Sequence, residues 1–129
     1  MRPCRRRNTR QREAIRQAFT GHADPLDVQQ VLRAARRRVP GLGVATVYRT
    51  LGLLCEQGWL VRIELPGRRT FYERAGKPHH HHFLCRACER LYRIEGCVGE
   101  VEALAPDGSV VEAHDLLLRG TCRRCRRAS

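Results

Sequence analysis

The stretch His79-His80-His81-His82-Phe83-Leu84-Cys85-Arg86-Ala87-Cys88 sets four imidazoles ahead of a Cys-x-x-Cys knuckle, and Cys122-Arg123-Arg124-Cys125 answers it near the end of the chain. Two knuckles far apart in sequence offer four thiolates to the corners of a tetrahedron, the closed geometry of structural Zn²⁺. The competing reading, two exposed pairs of unconnected thiols, leaves four oxidisable groups with no packing role.

At 129 residues the chain is one ordinary domain or two small ones. Neither half buries a large core alone, so a metal clip and a partner subunit are physically expected. The formal net charge is +12, and zinc on four thiolates subtracts only about two charges. Lys77 is the only lysine. The charge is therefore nearly all guanidinium, which suits bidentate contacts to phosphate and to guanine edges, although an arginine-rich proteome biases every chain the same way. No apolar run approaches the roughly 18 residues of a membrane span, and no apolar segment follows the basic start to make a signal peptide. The expected location is cytoplasmic. Seven cysteines, an odd number containing two Cys-x-x-Cys pairs, fit reduced thiols and metal better than a disulfide framework.

Beyond Arg5, Arg6 and Arg7, Asn8 or Thr9 reads as the cap of a helix over 10–20, with Ala14, Ile15, Ala18 and Phe19 in one apolar stripe before Gly21. Asp24-Pro25 reads as the cap and first residue of a second helix, in which Val28, Val31, Leu32 and Ala35 repeat at helical spacing. After Gly41-Leu42-Gly43 a third helix is expected over 44–57, with Val47, Leu51 and Leu54 toward the core. This leaves Thr46, Tyr48, Arg49 and Thr50 largely on other faces. Hydroxyl, phenol and guanidinium groups at the start of a third helix equip it to enter a major groove; the same residues also suit a solvated face. The next segment favours DNA, because 60–64 alternates as a strand, 65–68 turns and 69–73 returns as a second strand. Three helices and a basic hairpin make a winged helix. Its tip residues Arg68 and Arg69, with Arg5, Arg6 and Arg7 of the arm, are expected to reach phosphate or the minor groove.

Arg74-Ala75-Gly76-Lys77-Pro78 breaks both periodicities and reads as a hinge between a DNA-binding module over 1–73 and a metal-binding one over 79–129. In the second module we expect a strand through His82 to Cys85, a strand over 91–94, a short helix over 98–105, a turn at Pro106-Asp107-Gly108, and strands about 110–111 and 115–118. This is a small α/β unit whose few apolar residues are best buried against a second copy of the chain. The fold class is thus α+β, an N-terminal winged helix followed by a small α/β dimerisation domain with a four-cysteine zinc site.

The order Thr9-Arg10-Gln11-Arg12, Ala45-Thr46-Val47-Tyr48-Arg49-Thr50-Leu51, the His run ahead of Cys85-x-x-Cys88, and Gly120-Thr121-Cys122-x-x-Cys125 resembles the ferric uptake regulator family of metal-sensing repressors over nearly the whole chain. The resemblance implies a homodimer, not an enzyme, that binds palindromic operators in double-stranded DNA when metal is loaded. No membrane and no small-molecule substrate are expected. Matched residue by residue, it implies structural zinc on Cys85, Cys88, Cys122 and Cys125, and a regulatory site for Fe²⁺, Mn²⁺ or Zn²⁺ on Glu73, His80 and His82. It also implies an additional site on His79, His81, Glu100 and His114. Alternation along a strand accounts for the split of the His run into two pairs.

Several positions depart from the family pattern. Pro25 stands where many relatives carry a His ligand, so the regulatory site either lacks that ligand or takes His22 or Asp24 instead. Ala75 stands near where many zinc-sensing relatives place a cysteine, and Arg93 where iron- and peroxide-sensing relatives often place an acid. A thiolate-free nitrogen and oxygen set accommodates Fe²⁺, Mn²⁺ and Zn²⁺ alike; the reading leans to Fe²⁺ or Mn²⁺. The segment between Glu100 and His114 is short for the family, against the usual long dimerisation helix. Cys55 reads as a small core residue and Cys4 as a thiol on the arm, while Cys97 is open between no metal role and a redox or accessory ligand. Two rivals frame the reading. A constitutive zinc-ribbon nucleic-acid binder gives the His run no role, and a metallohydrolase lacks a second carboxylate near that run to act as base.

Overall fold

Three helices lead into a hairpin, and a second, separate sheet follows. The computed structural model describes residues 2–21, 24–67 and 69–128, with side chains from Asn8 onward. The side chains of Arg5, Arg6 and Arg7, and residues His22 and Arg68, lie outside the described residues.

Helix α1 spans Arg2–Gln17, so it starts well before residue 10 and needs no cap at Asn8 or Thr9. Arginine is a good helix former, and Pro3 sits in the first turn, where a missing N–H removes no intrahelical bond. Helix α2, Val28–Ala35, is capped by Asp27 and not by Asp24. Asp27 Oδ1 accepts from the Gln30 amide at 2.8 Å while Gln30 Oε1 accepts from the Asp27 amide at 2.9 Å. This reciprocal pair satisfies two amides that a start at Asp24 would leave without it. Leu26 is moreover held in extended backbone by paired hydrogen bonds with Tyr72, at 2.9 and 2.8 Å. Helix α3, Val44–Glu56, buries Val47, Leu51 and Leu54. Each such side chain contributes about 1.5–3 kcal/mol by leaving water.

Strand β1, Leu60–Glu64, pairs antiparallel with β2, Thr70–Arg74, with Val61 opposite Glu73 and Arg62 opposite Tyr72. The hairpin closes a core in which Ile15 of α1, Val31 of α2, Leu42 and Val47 are fully buried. Trp59 sits at its margin, edge-on to Phe19 at 6.1 Å between ring centres, with the guanidinium groups of Arg16 and Arg74 4.8 and 4.1 Å from its ring.

The chain divides into two compact units, Met1–Gly76 and Lys77–Ser129. Arg74 belongs to β2 and the Ala75 amide donates to Trp59 O at 3.1 Å, so the start of the expected 74–78 hinge is built into the first unit. In the second unit β3, His80–Cys85, is the central strand of a sheet ordered β4-β3-β5. Strand β4, Leu91–Glu95, runs antiparallel to it with His82 opposite Arg93; β5, Leu117–Gly120, runs parallel with His82 opposite Leu117. A short helix α4, Arg123–Ala128, follows.

The expected helix over 98–105 is only a 3₁₀ turn, Val101–Leu104. Gly99 and Glu100 before it have φ of 66° and 39°, left-handed values that a right-handed helix cannot include. No strand forms at 110–111 among the described residues, and Val110 is exposed. A two-residue apolar run with no neighbour to pair has nothing to hold it extended. Among the described residues no helix is long and apolar enough to cross a membrane.

Candidate metal centres and nucleic-acid interface

The Cys-x-x-Cys spacing folds Cys85 to Cys88 into a turn that Glu89 closes in a left-handed conformation, φ 62°, with its amide donating to Cys85 O at 2.9 Å. Strand β5 runs alongside β3 and so delivers Cys122 and Cys125 to the same place. Each of the four sulfurs lies within 4.8 Å of the others, and Cys88 Sγ is 3.9 Å from Cys122 Sγ. A zinc tetrahedron with Zn–S of about 2.3 Å has sulfur–sulfur edges of about 3.8 Å. The donor chemistry fits as well. Amides of Cys88 and Cys122 donate to Cys85 Sγ at 3.4 and 3.3 Å, and these bonds hold that thiol below its ordinary pKa despite its burial. The Tyr92 hydroxyl lowers the Cys122 thiol in the same way, whereas Cys125 is pushed up by its bond to Cys122 and by burial. Hydrogen-bond donors aimed at sulfur stabilise thiolate, the form that binds metal. The four cysteines therefore suit Zn²⁺.

The His run is divided by the pleat of β3. His80 and His82 share one face, with ring centres 4.9 Å apart. His80 Nδ1 donates to Pro78 O at 2.7 Å, which fixes the tautomer and leaves Nε2 as the ligand atom. Arg93, opposite His82 on β4, pairs with Glu95 at 3.4 Å. Glu73 stands on β2 in the first unit, opposite Val61.

On the other face His79 and His81 meet His114, and Cys97 joins them. His114 Nε2 lies 3.2 Å from His79 Nε2, 3.2 Å from His81 Nε2 and 3.0 Å from Cys97 Sγ, and His81 Nε2 is 3.2 Å from the same sulfur. His81 is buried, and burial first, then its imidazole neighbours, lower its pKa, so the neutral form that ligates metal is favoured. Glu100 is not in this group. Its left-handed backbone caps the 3₁₀ turn, and the turn that sets it there brings Cys97 inward instead. Sequence reasoning left Cys97 open; its place three residues ahead of Glu100, after the His run, was the available signal. Asp24 occupies a bend before Pro25 and belongs to none of the ligand groups among the described residues.

In the first unit, the start of α3 presents Tyr48, 57 % exposed, and Arg49, whose Nη2 donates to Thr46 Oγ1 at 3.2 Å. Thr46, Arg49 and Thr50 line a polar cleft of about 230 Å³ with Asn8, Gln11 and Arg12 of α1. Arg69, expected at the hairpin tip as a DNA contact, is half-buried and carries an ion pair. Its guanidinium pairs with Asp27 Oδ2 at 2.7 Å and lies 5.3 Å from the Phe71 ring. The carboxylate that caps α2 thus also ties down the turn end of the hairpin through a charge-assisted bond.

Helices α1 to α3 with the β1–β2 hairpin, followed by a sheet bearing four clustered cysteines and split imidazole pairs, make a mixed helix-and-sheet protein with side-chain groups that could hold metal ions. The chain belongs to the Ferric uptake regulator family, whose model matches residues 5–117. Members of this family are metal-responsive transcriptional regulators that bind DNA. The chain is 34 % identical over 125 residues to a zinc uptake regulation protein of Mycobacterium tuberculosis, covering 93 % of this chain and 95 % of that one. It is 31 % identical over 123 residues to a ferric uptake regulation protein of Campylobacter jejuni, covering 91 % and 78 %. A solved structure of a zinc-bound manganese uptake regulator superposes with a TM-score of 0.74 at 26 % identity, over 87 % of each chain.

Proposed function

We propose that this chain is a metal-dependent repressor that dimerises through its second unit, binds a palindromic operator and works in the cytoplasm. The observation that carries the reading is the exposed Tyr48 and Arg49 at the start of α3, beside Thr46 and Thr50, in the same chain as a strand that offers imidazoles on both faces. Tyr48 and Arg49 enter the major groove. The remaining arginines, including Arg5, Arg6, Arg7 and Arg68, contribute phosphate contacts, so affinity falls steeply with salt.

The four cysteines hold zinc and fix β3 against β5. Glu73, His80 and His82 hold the regulatory ion, Fe²⁺ or Mn²⁺. This assignment is supported by the shared face of the two imidazoles, by the Pro78 carbonyl that orients His80, and by the short run of chain between Glu73 and His80. Ligands drawn from both units let a bound ion favour the conformer in which two recognition helices of a dimer meet successive major grooves. Zn²⁺ suits the same nitrogen and oxygen set, and the likeness to a zinc uptake regulation protein keeps it as the second reading.

Duplex sites selected from a random pool, with affinity measured at fixed salt under Fe²⁺, Mn²⁺ and Zn²⁺, test the proposal. Arg49→Ala is expected to weaken binding by at least about 10-fold, equivalent to about 1.4 kcal/mol or one good base contact, with zinc content unchanged. Affinity that is independent of all three metals would leave a constitutive nucleic-acid binder.

A further inference from the structure

We infer that His79, His81, Cys97 and His114 form a metal site with three nitrogen ligands and one sulfur, in which Cys97 takes the place that family likeness gives to Glu100, and that this site is selective for Zn²⁺ over Fe²⁺ and Mn²⁺. The inference rests on reading the second unit as metal-binding but not on DNA recognition.

The distances carry it. His114 Nε2 faces three atoms at once, the Nε2 atoms of His79 and His81 and the sulfur of Cys97, at 3.0 to 3.2 Å. One ring nitrogen offers either a single proton or a single lone pair, directed in the ring plane, so it cannot hydrogen-bond to all three. Three imidazole nitrogens and a thiol converging in this way are explained by a cation at their centre. A tetrahedral Zn²⁺ with Zn–N of about 2.0–2.1 Å and Zn–S of about 2.3 Å needs edges of about 3.3 Å between nitrogens and about 3.6 Å between nitrogen and sulfur. The nitrogen–nitrogen separations of 3.2 Å match that edge, and the nitrogen–sulfur separations of 3.0 and 3.2 Å are about 0.4–0.6 Å shorter than theirs, so the sulfur moves outward slightly when the ion enters.

Local structure explains why cysteine and not glutamate arrives. β4 ends at Glu95, and Gly96, with φ 97°, turns the chain sharply so that the next residue, Cys97, folds back over the face of β3 carrying His81. Glu100 comes only after a second left-handed step at Gly99. The exchange changes the chemistry of the site. A carboxylate keeps a site open to hard cations, whereas a thiolate beside three imidazoles suits tetrahedral Zn²⁺, and Mn²⁺ and Fe²⁺ stand lower in the affinity order for divalent ions. His81 gives the site a buried wall, while Cys97 and His79 are exposed and leave a path for the ion.

The experiment uses the full chain with zinc on its four cysteines and the replacements His80→Ala and His82→Ala, so that one additional site is read. One equivalent of Co²⁺ is expected to give the intense visible bands of a tetrahedral ion and a near-ultraviolet sulfur-to-cobalt charge-transfer band. Cys97→Ser should abolish the charge-transfer band and weaken Zn²⁺ binding by more than about 100-fold, since losing even a hydrogen-bond partner of a ligand costs about 10- to 100-fold; Glu100→Gln should change neither. Zn²⁺ should also protect Cys97 of the otherwise unchanged chain from alkylation, a readout that does not depend on the variant folding. A charge-transfer band that survives Cys97→Ser, a spectrum altered by Glu100→Gln, or alkylation of Cys97 at the same rate with and without Zn²⁺ would each overturn the inference. DNA is absent from these assays, so their failure leaves the proposed Fe²⁺ or Mn²⁺ response to be judged on its own experiment.

Discussion

On one face of β3, His79 and His81 find His114 and Cys97 within the same unit. On the other, His80 and His82 share their face with Arg93, whose charge is turned toward Glu95. The same four-residue run therefore serves two different surroundings. The first face carries a full set of four ligands held by one sheet and its loop, which suits an ion that stays. The second has two imidazoles and a nearby cation, so on the proposed reading its ion is completed only by Glu73 of the other unit.

The largest change expected is at the base that both faces share. Cys85→Ser should cost the structural zinc and with it the cooperative melting of the second unit, because structural zinc contributes about 10–16 kcal/mol in small zinc domains; zinc content and a thermal melt read the loss. A variant that melts normally without zinc would show that the faces of β3 are set by the sheet alone. Next in size, His82→Ala should remove metal-activated DNA binding, a coupling of about 5- to 150-fold in typical cases, while the Co²⁺ spectrum of the His79 face is kept. His81→Ala should do the reverse, abolishing that spectrum and changing metal activation by less than about 5-fold. If both variants lose activation equally, the division between a resident and a responding ion disappears. The smallest effect is at Arg93. Replacing it with alanine removes a positive charge near the proposed ion and should tighten Mn²⁺ binding only several-fold, about 1 kcal/mol at most, as measured by competition with a chelating dye.

Much of the first unit was legible because its signals are local. Val47, Leu51 and Leu54 at helical spacing and the alternation from Leu60 each declare themselves within a few residues, as do the two Cys-x-x-Cys knuckles of the second unit. The differences fall where distant or subtle backbone terms decide. Asp24-Pro25 and Asp27 are both good helix starts, and the second prevails because Gln30 reciprocates and Leu26 is tied to Tyr72 across the fold. The ion pair of Arg69 with Asp27 joins residues 42 positions apart, which a hairpin pattern does not reveal. The expected helix over 98–105 fails because Gly99 and Glu100 take left-handed conformations. That same local path brings Cys97 beside His79, His81 and His114, where its place in the sequence was only a weak signal.

One consequence concerns the length of the imidazole tract. The pleat of β3 sends odd-numbered and even-numbered positions to opposite sides, while Cys85 anchors the far end of the strand. Deleting one histidine would leave the knuckle in place and send every imidazole ahead of the deletion across the sheet, presenting each pocket with its neighbour's complement. The tract therefore obeys a parity rule: its composition is permissive, but its count is not, and it can grow or shrink in this fold only by pairs.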